Sequence, residues 1–132
     1  MIEIALKDYL VTKETAAAGR IVPPDLLHTV NFPAITYQII SPQGHHDINV
    51  DFPRVNFTAW APSYMAARTL AMEVEEHLRR FKGIISGHRI KQIVMEPGPG
   101  VLHDREGYDK GTGKTGLYYV PQDFKVIYER ND

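Results

Sequence analysis

The sequence contains no cysteine. Disulfide frameworks, thiol nucleophiles, cysteine-ligated zinc sites and iron–sulfur clusters are therefore excluded, and the fold must be held by its core alone. Long apolar runs are also missing, since the longest span only a few residues and a bilayer-spanning helix needs about 20. The first residues, Met1–Asp8, include the acidic Glu3 and lack the basic start and apolar stretch of a secretory signal. The sequence therefore predicts neither a membrane span nor an export signal.

Neither sign of charge dominates the chain. It has 15 basic and 16 acidic residues and a formal net charge of −1. General nucleic-acid binding depends on neutralising several phosphates, so we expect no specific nucleic-acid partner. The composition, 43% hydrophobic and 23% charged, is typical of a globular protein, and 132 residues is the length of one domain. We therefore predict a single domain over residues 1–132.

Apolar periodicity predicts two helices and four strands. The clearest element is a helix over 63–81, because Leu70, Val74 and Leu78 recur at helical spacing. The other predicted elements are a short helix over 2–12 and strands over 34–40, 48–61 (interrupted at Pro53), 88–95 and 124–128. This order predicts an α+β fold, in which a mostly antiparallel four-stranded sheet packs against one long helix, with a short N-terminal helix beside it.

Residues 97–117 show no apolar period. They contain six glycines, namely Gly98, Gly100, Gly107, Gly111, Gly113 and Gly116. A structureless segment of this length is uncommon in a compact domain and is usually functional or disordered. The sequence therefore predicts a long glycine-rich loop between the last two strands.

The tripeptide Gly113-Lys114-Thr115 invites comparison with a phosphate-binding loop. That motif needs a glycine five residues before its Gly-Lys-Thr, and Tyr108 stands at that position. It also needs a strand before it and a helix after it, whereas a strand is predicted to follow. The tripeptide is therefore interpreted as a flexible glycine tip, and no cofactor is predicted.

The pairs His45-His46 and His103-Asp104 are the other candidates for chemistry. Adjacent side chains on a strand point to opposite faces, so His45 and His46 are poorly placed to hold one metal ion, and a solvated hairpin end is favoured. Ser63 lies outside any Gly-x-Ser-x-Gly motif and fits a helix cap better than a nucleophile. We predict no catalytic or metal-binding residue. The alternative left open is a small metal- or ligand-binding domain, or an enzyme, that uses His45, His46 and the His103 region.

A local basic cluster spans the end of the long helix and the strand that follows. Its members are Arg79, Arg80, Lys82, His88, Arg89 and Lys91. A solvated face that compensates the helix dipole is the favoured interpretation, because cations are stabilising at helix C-termini. A partner-binding patch is the alternative.

Trp60 is placed by the alternation of its strand on the face opposite Val55 and Phe57. It either packs under the first helix or marks a contact surface. Apolar groups on both faces of a sheet are typical of a subunit of an assembly.

Five stretches follow one another in an order and spacing that resemble a known family. They are Gly19-Arg20-Ile21, Phe32-Pro33-Ala34-Ile35-Thr36-Tyr37-Gln38, Phe57-Thr58-Ala59-Trp60-Ala61, Gly116-Leu117-Tyr118 and Asp123-Phe124-Lys125-Val126-Ile127-Tyr128. With these, nearly the whole chain resembles the tail completion proteins of long-tailed bacteriophages, a group related to tail terminator and tail-to-head joining subunits. The chain departs from that pattern by its longer glycine-rich stretch before Gly116 and by its Pro23-Pro24 segment.

The resemblance implies a structural virion protein of a phage or prophage, not an enzyme. Such proteins form rings, typically hexamers, at the head-proximal end of the tail tube, where they stop tube polymerisation and present a surface to the head connector. The implied partners are copies of the chain itself, the tail tube protein and the head connector or head completion protein. The implied location is the virion tail, with the bacterial host cytoplasm as the place of assembly. No catalytic residue, metal or cofactor is implied.

A closed ring repeats one heterologous contact, so each subunit needs two different patches that match. We predict one patch on the 97–117 loop and the other near the basic cluster. The predicted interface residues are Arg79, Arg80, Lys82, Arg89, Leu102, His103, Arg105, Tyr108, Lys110 and Lys114.

Overall fold

The computed structural model describes residues 1–41, 50–79, 81–109 and 114–129. Its helices are α1 (Ile2–Thr12), a 3₁₀ helix (Pro24–Thr29) and α2 (Tyr64–Leu78). Its strands are β1 (Ile21–Val22), β2 (Ala34–Ser41), β3 (Val50–Asp51), β4 (Arg54–Ala61), β5 (Gly83–Ile85), β6 (His88–Met95), β7 (Leu102–Asp109) and β8 (Lys114–Glu129).

Within these ranges eight strands form one curled, mixed sheet accompanied by short helices, so the predicted four-stranded antiparallel sheet against one long helix is wrong. The strand order is β1-β2-β4-β8-β6-β5, and β3 and β7 also pair with β8. Only the β1–β2 pair among the described strands is parallel. Two of the strands that were not predicted, β1 and β5, have only two or three residues. Strands this short display no measurable period, which is why the sequence did not indicate them.

The segments with a clear period are found where they were predicted. The short helix over 2–12 is confirmed as α1, and β2 and β6 occupy the first and third predicted strands. The strand predicted over 48–61 is present as β3 and β4, and the interruption at Pro53 is confirmed because Phe52 and Pro53 separate the two. β8 starts ten residues earlier than the predicted strand over 124–128.

Helix α2 begins and ends for reasons that its sequence contains. The Ser63 side chain caps it by accepting a hydrogen bond from the Ala66 N–H at 3.2 Å. The helix ends at Leu78, earlier than predicted, because Arg79 adopts extended backbone angles. No helix in the described ranges is long and apolar enough to cross a membrane.

The hydrophobic core lies between one face of the sheet and the two α-helices. Val55 and Phe57 of β4 and Phe124 of β8 are fully buried, and the Phe57 and Phe124 rings meet edge to face with centroids 6.2 Å apart. Leu6 of α1 and Leu70 of α2 complete this core. Burying each of these side chains contributes about 1.5–3 kcal/mol, so this region holds the domain together.

On the opposite face of β4, polar side chains bond to one another and to β8. The Asn56 amide donates to Asp123 Oδ1 at 2.9 Å, and the Thr58 hydroxyl donates to Asn56 Oδ1 at 2.7 Å. Trp60 stacks on Tyr119 at 4.7 Å. Since α1 packs into the core on the other face, Trp60 does not lie under the first helix.

Candidate interaction surfaces

The segment predicted as a long glycine-rich loop folds into a hairpin of β7 and β8, so that prediction is wrong over the residues described. Leu102 pairs with Tyr119, Asp104 pairs with Leu117, and the register shifts between Asp104 and Tyr108. β4 pairs with β8 only from Tyr118 onward. The first residues of β8 therefore pair, among the described strands, with β7 alone, and the hairpin extends beyond the rest of the sheet as a two-stranded ribbon.

Stacked rings fix the base of this hairpin. The His103 ring lies parallel to the Tyr118 ring at 4.3 Å, and Tyr118 meets Tyr64 of α2 edge to face at 6.3 Å. Gly116 has a φ of +96°, and a Cβ at this position would lie 3.3 Å from His103 Nε2. The hairpin therefore needs glycine here both for its backbone angle and for the close approach of the histidine ring.

A groove runs along α2 on the side of the 97–101 segment, with a volume of about 290 Å³. Tyr64, Arg68 and Met72 form its helical wall, and Val101 stands on the opposite wall. Gln122 lies at its floor and is almost completely buried. The Gln122 amide donates to the Ala71 carbonyl oxygen at 3.1 Å, whereas its Oε1 has no hydrogen-bond partner among the described residues.

The groove continues toward the end of α2. A second hollow of about 430 Å³ is lined by Met72, Glu75, Glu76 and Arg79, and it shares two of these residues with the first. Met65 and Met72 expose 66% and 57% of their surface, although both belong to the helix that covers the core. Methionine is flexible and polarizable, which suits it to surfaces that adapt to a partner. We call Tyr64, Met65, Met72 and Glu76 the outer α2 face.

The predicted basic cluster is divided by the fold between two surfaces. Arg79 follows α2 and is bonded to Glu75 at 2.8 Å, whereas Arg89 lies on β6 and is 3.8 Å from Glu129. Lys91 also approaches Glu129, at 3.1 Å. Exposed ion pairs of this kind contribute about 0–1 kcal/mol each, so these pairs position charge more than they stabilise the fold.

A second exposed apolar residue lies beside these cations. Ile84 of β5 exposes 66% of its surface and pairs directly with Arg89. Lys82 precedes the same strand and is also exposed. We call residues 82–91 the β5–β6 corner.

The other predicted interface residues are placed as follows. Leu102 is half-buried, His103 and Arg105 are exposed, and Tyr108 and Lys114 lie on the paired backbone of the hairpin. Arg80 and Lys110 lie outside the described residues. The structure therefore brings the hairpin residues together on one ribbon and keeps them apart from the β5–β6 corner.

No group of three or more His, Asp or Glu residues that could hold a metal ion exists within the described ranges. His45 and His46, on which the metal-binding alternative depended, lie outside those ranges. His103 is engaged in ring stacking, and Asp104 Oδ1 accepts a hydrogen bond from the Glu106 N–H at 3.1 Å.

Sequence reasoning missed Met65, Met72 and Ile84. A signal for the two methionines exists in the sequence, because they are seven residues apart on α2 and fall outside the buried stripe of Leu70, Val74 and Leu78. Ile84 has no comparable signal, since a three-residue strand does not show which of its faces is buried.

Comparisons with known proteins find the fold but no family. No protein-family model and no curated protein matches the chain. Among solved structures, the chain is similar to one described as "Virion of native gene transfer agent (GTA) particle", with a TM-score of 0.61 and 10% sequence identity. The similarity covers 98% of this chain and 95% of that chain. The chain therefore shares its fold, over nearly its full length, with a component of that virion.

Proposed function

We propose that this chain is a structural virion protein of a phage or prophage, and specifically a ring-forming subunit that caps the head-proximal end of the tail tube and joins it to the head connector. The observation that carries this proposal is the shared fold with a chain of a gene transfer agent virion, which extends over almost all of both chains.

The surfaces of the chain support the finer part of the proposal. Apart from Met1, the most exposed large apolar side chains of the described residues, Met65, Met72 and Ile84, lie on two separate surfaces. Exposed apolar side chains that adjoin a groove, as Met72 on α2 does, are typical of contact surfaces, where a subunit buries them. Two different surfaces on one chain suit the heterologous contact from which rings are built.

The β7–β8 hairpin supports a role at a junction. It projects past β4 as a two-stranded ribbon, and its first strand contains four consecutive polar residues, His103, Asp104, Arg105 and Glu106. Isolated two-stranded ribbons are marginally stable in water, so such a hairpin gains most from contact with a neighbour. We assign it to contact with a tail tube or head connector protein.

Deletion of the gene from its phage or prophage tests this role. We expect heads and tails to accumulate separately, and tail tubes to lose their uniform length, because nothing stops polymerisation or presents a docking surface to the head. Negative-stain electron microscopy of lysates measures both effects. Expression of the intact chain from a plasmid is the control and restores joined particles.

The position in the virion is tested separately. A tagged chain labelled with gold should mark the junction between head and tail in intact particles. Joined particles of normal tail length without this gene, or label distributed along the tail or over the capsid, would contradict the proposed role.

A further inference from the structure

We propose that the outer α2 face of one copy binds the β5–β6 corner of a second copy, with Ile84 entering the groove beside Met72. This inference rests on the proposed ring-forming function and names the two surfaces that make the ring contact. It follows from the charge, the exposure and the placement of the two surfaces.

The two surfaces carry opposite charge. Helix α2 and the Arg79 that follows it contain two cations, Arg68 and Arg79, and three acids, Glu73, Glu75 and Glu76, which leaves a net charge of −1 with histidine neutral. Residues 82–91 contain three cations, Lys82, Arg89 and Lys91, and no acid, and Glu129 of β8, which pairs with Arg89 and Lys91, reduces the net charge at this corner to +2. Surfaces of opposite sign steer copies of the chain into a head-to-tail encounter and disfavour contact between like surfaces.

Each charged surface has an exposed apolar centre. Met65 and Met72 stand on the acidic helix, and Ile84 stands on the basic corner between Lys82 and Arg89. Interfaces combine an apolar centre with a polar rim, and the centre supplies most of the affinity. Within the described part of the chain, Glu76 and Lys82 form no ion pair with another residue, so both charges are available at the rim.

The two surfaces cannot meet within one chain. Ile85 and Ile90 are buried in the core on the helical side of the sheet. Ile84 and Arg89, which pair with each other, alternate with these buried residues and therefore point to the opposite side. Because the outer α2 face and Ile84 lie on opposite sides of the sheet, their contact requires two copies, and repetition of this contact produces a ring or a filament.

The absence of cysteine from the sequence permits a direct test by disulfide trapping. The double variant Met72→Cys, Ile84→Cys is oxidised and separated on a non-reducing gel. We expect a ladder of covalent oligomers that ends at the subunit number of the ring. The matched control is Met72→Cys with Leu26→Cys, since Leu26 is also exposed but belongs to the 3₁₀ helix, away from both surfaces. A double variant that stays monomeric, or a control that gives the same ladder, would overturn the proposal.

Complementation between two variants tests the head-to-tail arrangement. Met72→Asp disrupts the outer α2 face, and Ile84→Asp disrupts the β5–β6 corner. The affinity of self-association should therefore fall by about tenfold or more in each variant alone. A mixture of the two should form 1:1 dimers, because each partner keeps one intact surface. Sedimentation velocity measures this, and circular dichroism verifies folding. Mixtures that fail to dimerise, or variants that assemble as the unaltered chain does, refute the contact.

Failure of this contact can be told apart from failure of the proposed function. If Met72→Asp still enters virions at the head–tail junction and forms complete rings, the surfaces assigned to the ring contact are wrong and the function stands. If the cysteine ladder forms but the chain is missing from virions, the contact stands and the function is wrong.

Discussion

The two ends of β8 differ in what surrounds them. From Tyr118 onward the strand pairs with β4 on one side and with β6 on part of the other, and its Phe124 and Val126 side chains are fully buried. Before Tyr118 it pairs, among the described strands, only with β7. The same continuous strand is therefore a core element at one end and a projecting ribbon at the other. We therefore expect the part of β8 from Tyr118 onward to stabilise the fold and the part before Tyr118 to contact a partner.

The largest expected effect comes from the core end. Phe124→Ala should lower the free energy of unfolding by about 3–5 kcal/mol, because it removes a buried ring that contacts Phe57 and leaves a cavity. This is a large part of the roughly 5–15 kcal/mol that stabilises an ordinary domain. Urea unfolding followed by circular dichroism gives the value.

The control for this variant is Leu26→Ala, which truncates an exposed residue of the 3₁₀ helix and should change the free energy of unfolding by no more than about 0.5 kcal/mol. A loss below about 1 kcal/mol for Phe124→Ala would mean that the buried end of β8 is not the stabilising region.

The same contrast explains what the sequence could predict. In α2, Leu70, Val74 and Leu78 face a core, so burial imposes a helical period that is visible in the sequence. In β7, Asp104, Arg105 and Glu106 face no core, so the pairing of this strand leaves no alternation of apolar and polar residues. Strand pairing that rests on backbone hydrogen bonds alone is invisible to periodicity, and the hairpin was therefore interpreted as a loop.

Of the residues that form the candidate surfaces, the sequence analysis predicted charged ones and missed the exposed apolar ones. The cations of the β5–β6 corner, Lys82 and Arg89, were among the predicted interface residues because charge is written directly in the sequence. The groove required Val101 and Met72 to be brought together from distant parts of the chain, which depends on the path of the 97–101 segment over β8. That path is a tertiary property, and no local pattern indicates it.

An intermediate effect is expected where the ribbon joins the sheet. Gly116→Ala should cost about 1–3 kcal/mol, because the residue has a positive φ and a Cβ would approach the His103 ring. Gly100→Ala separates the two causes, since Gly100 has a φ of +83° but a Cβ at that position would have no other atom within 4 Å. Thermal unfolding measures both variants. An equal loss at the two positions would assign the cost to the backbone angle alone.

The smallest effect on stability is expected from removing the ribbon itself. Replacing residues 105–116 by Asn-Gly closes a two-residue hairpin turn directly between the paired Asp104 and Leu117. The free energy of unfolding should change by about 1 kcal/mol or less. The shorter connection has a smaller entropic cost of closure, and the replacement leaves the core residues unchanged.

The effect of this replacement on joining should by contrast be complete, because the ribbon is the part assigned to partner contact. The shortened chain should form rings through α2 and the β5–β6 corner, yet fail to restore joined particles in the deletion strain. Melting temperature and electron microscopy of complemented lysates measure the two outcomes on the same variant. A large fall in melting temperature would show that the ribbon stabilises the fold, and restored joining would show that the partner contact lies elsewhere. The core end of β8 remains in place in this variant, so both measurements report on the ribbon end of the strand.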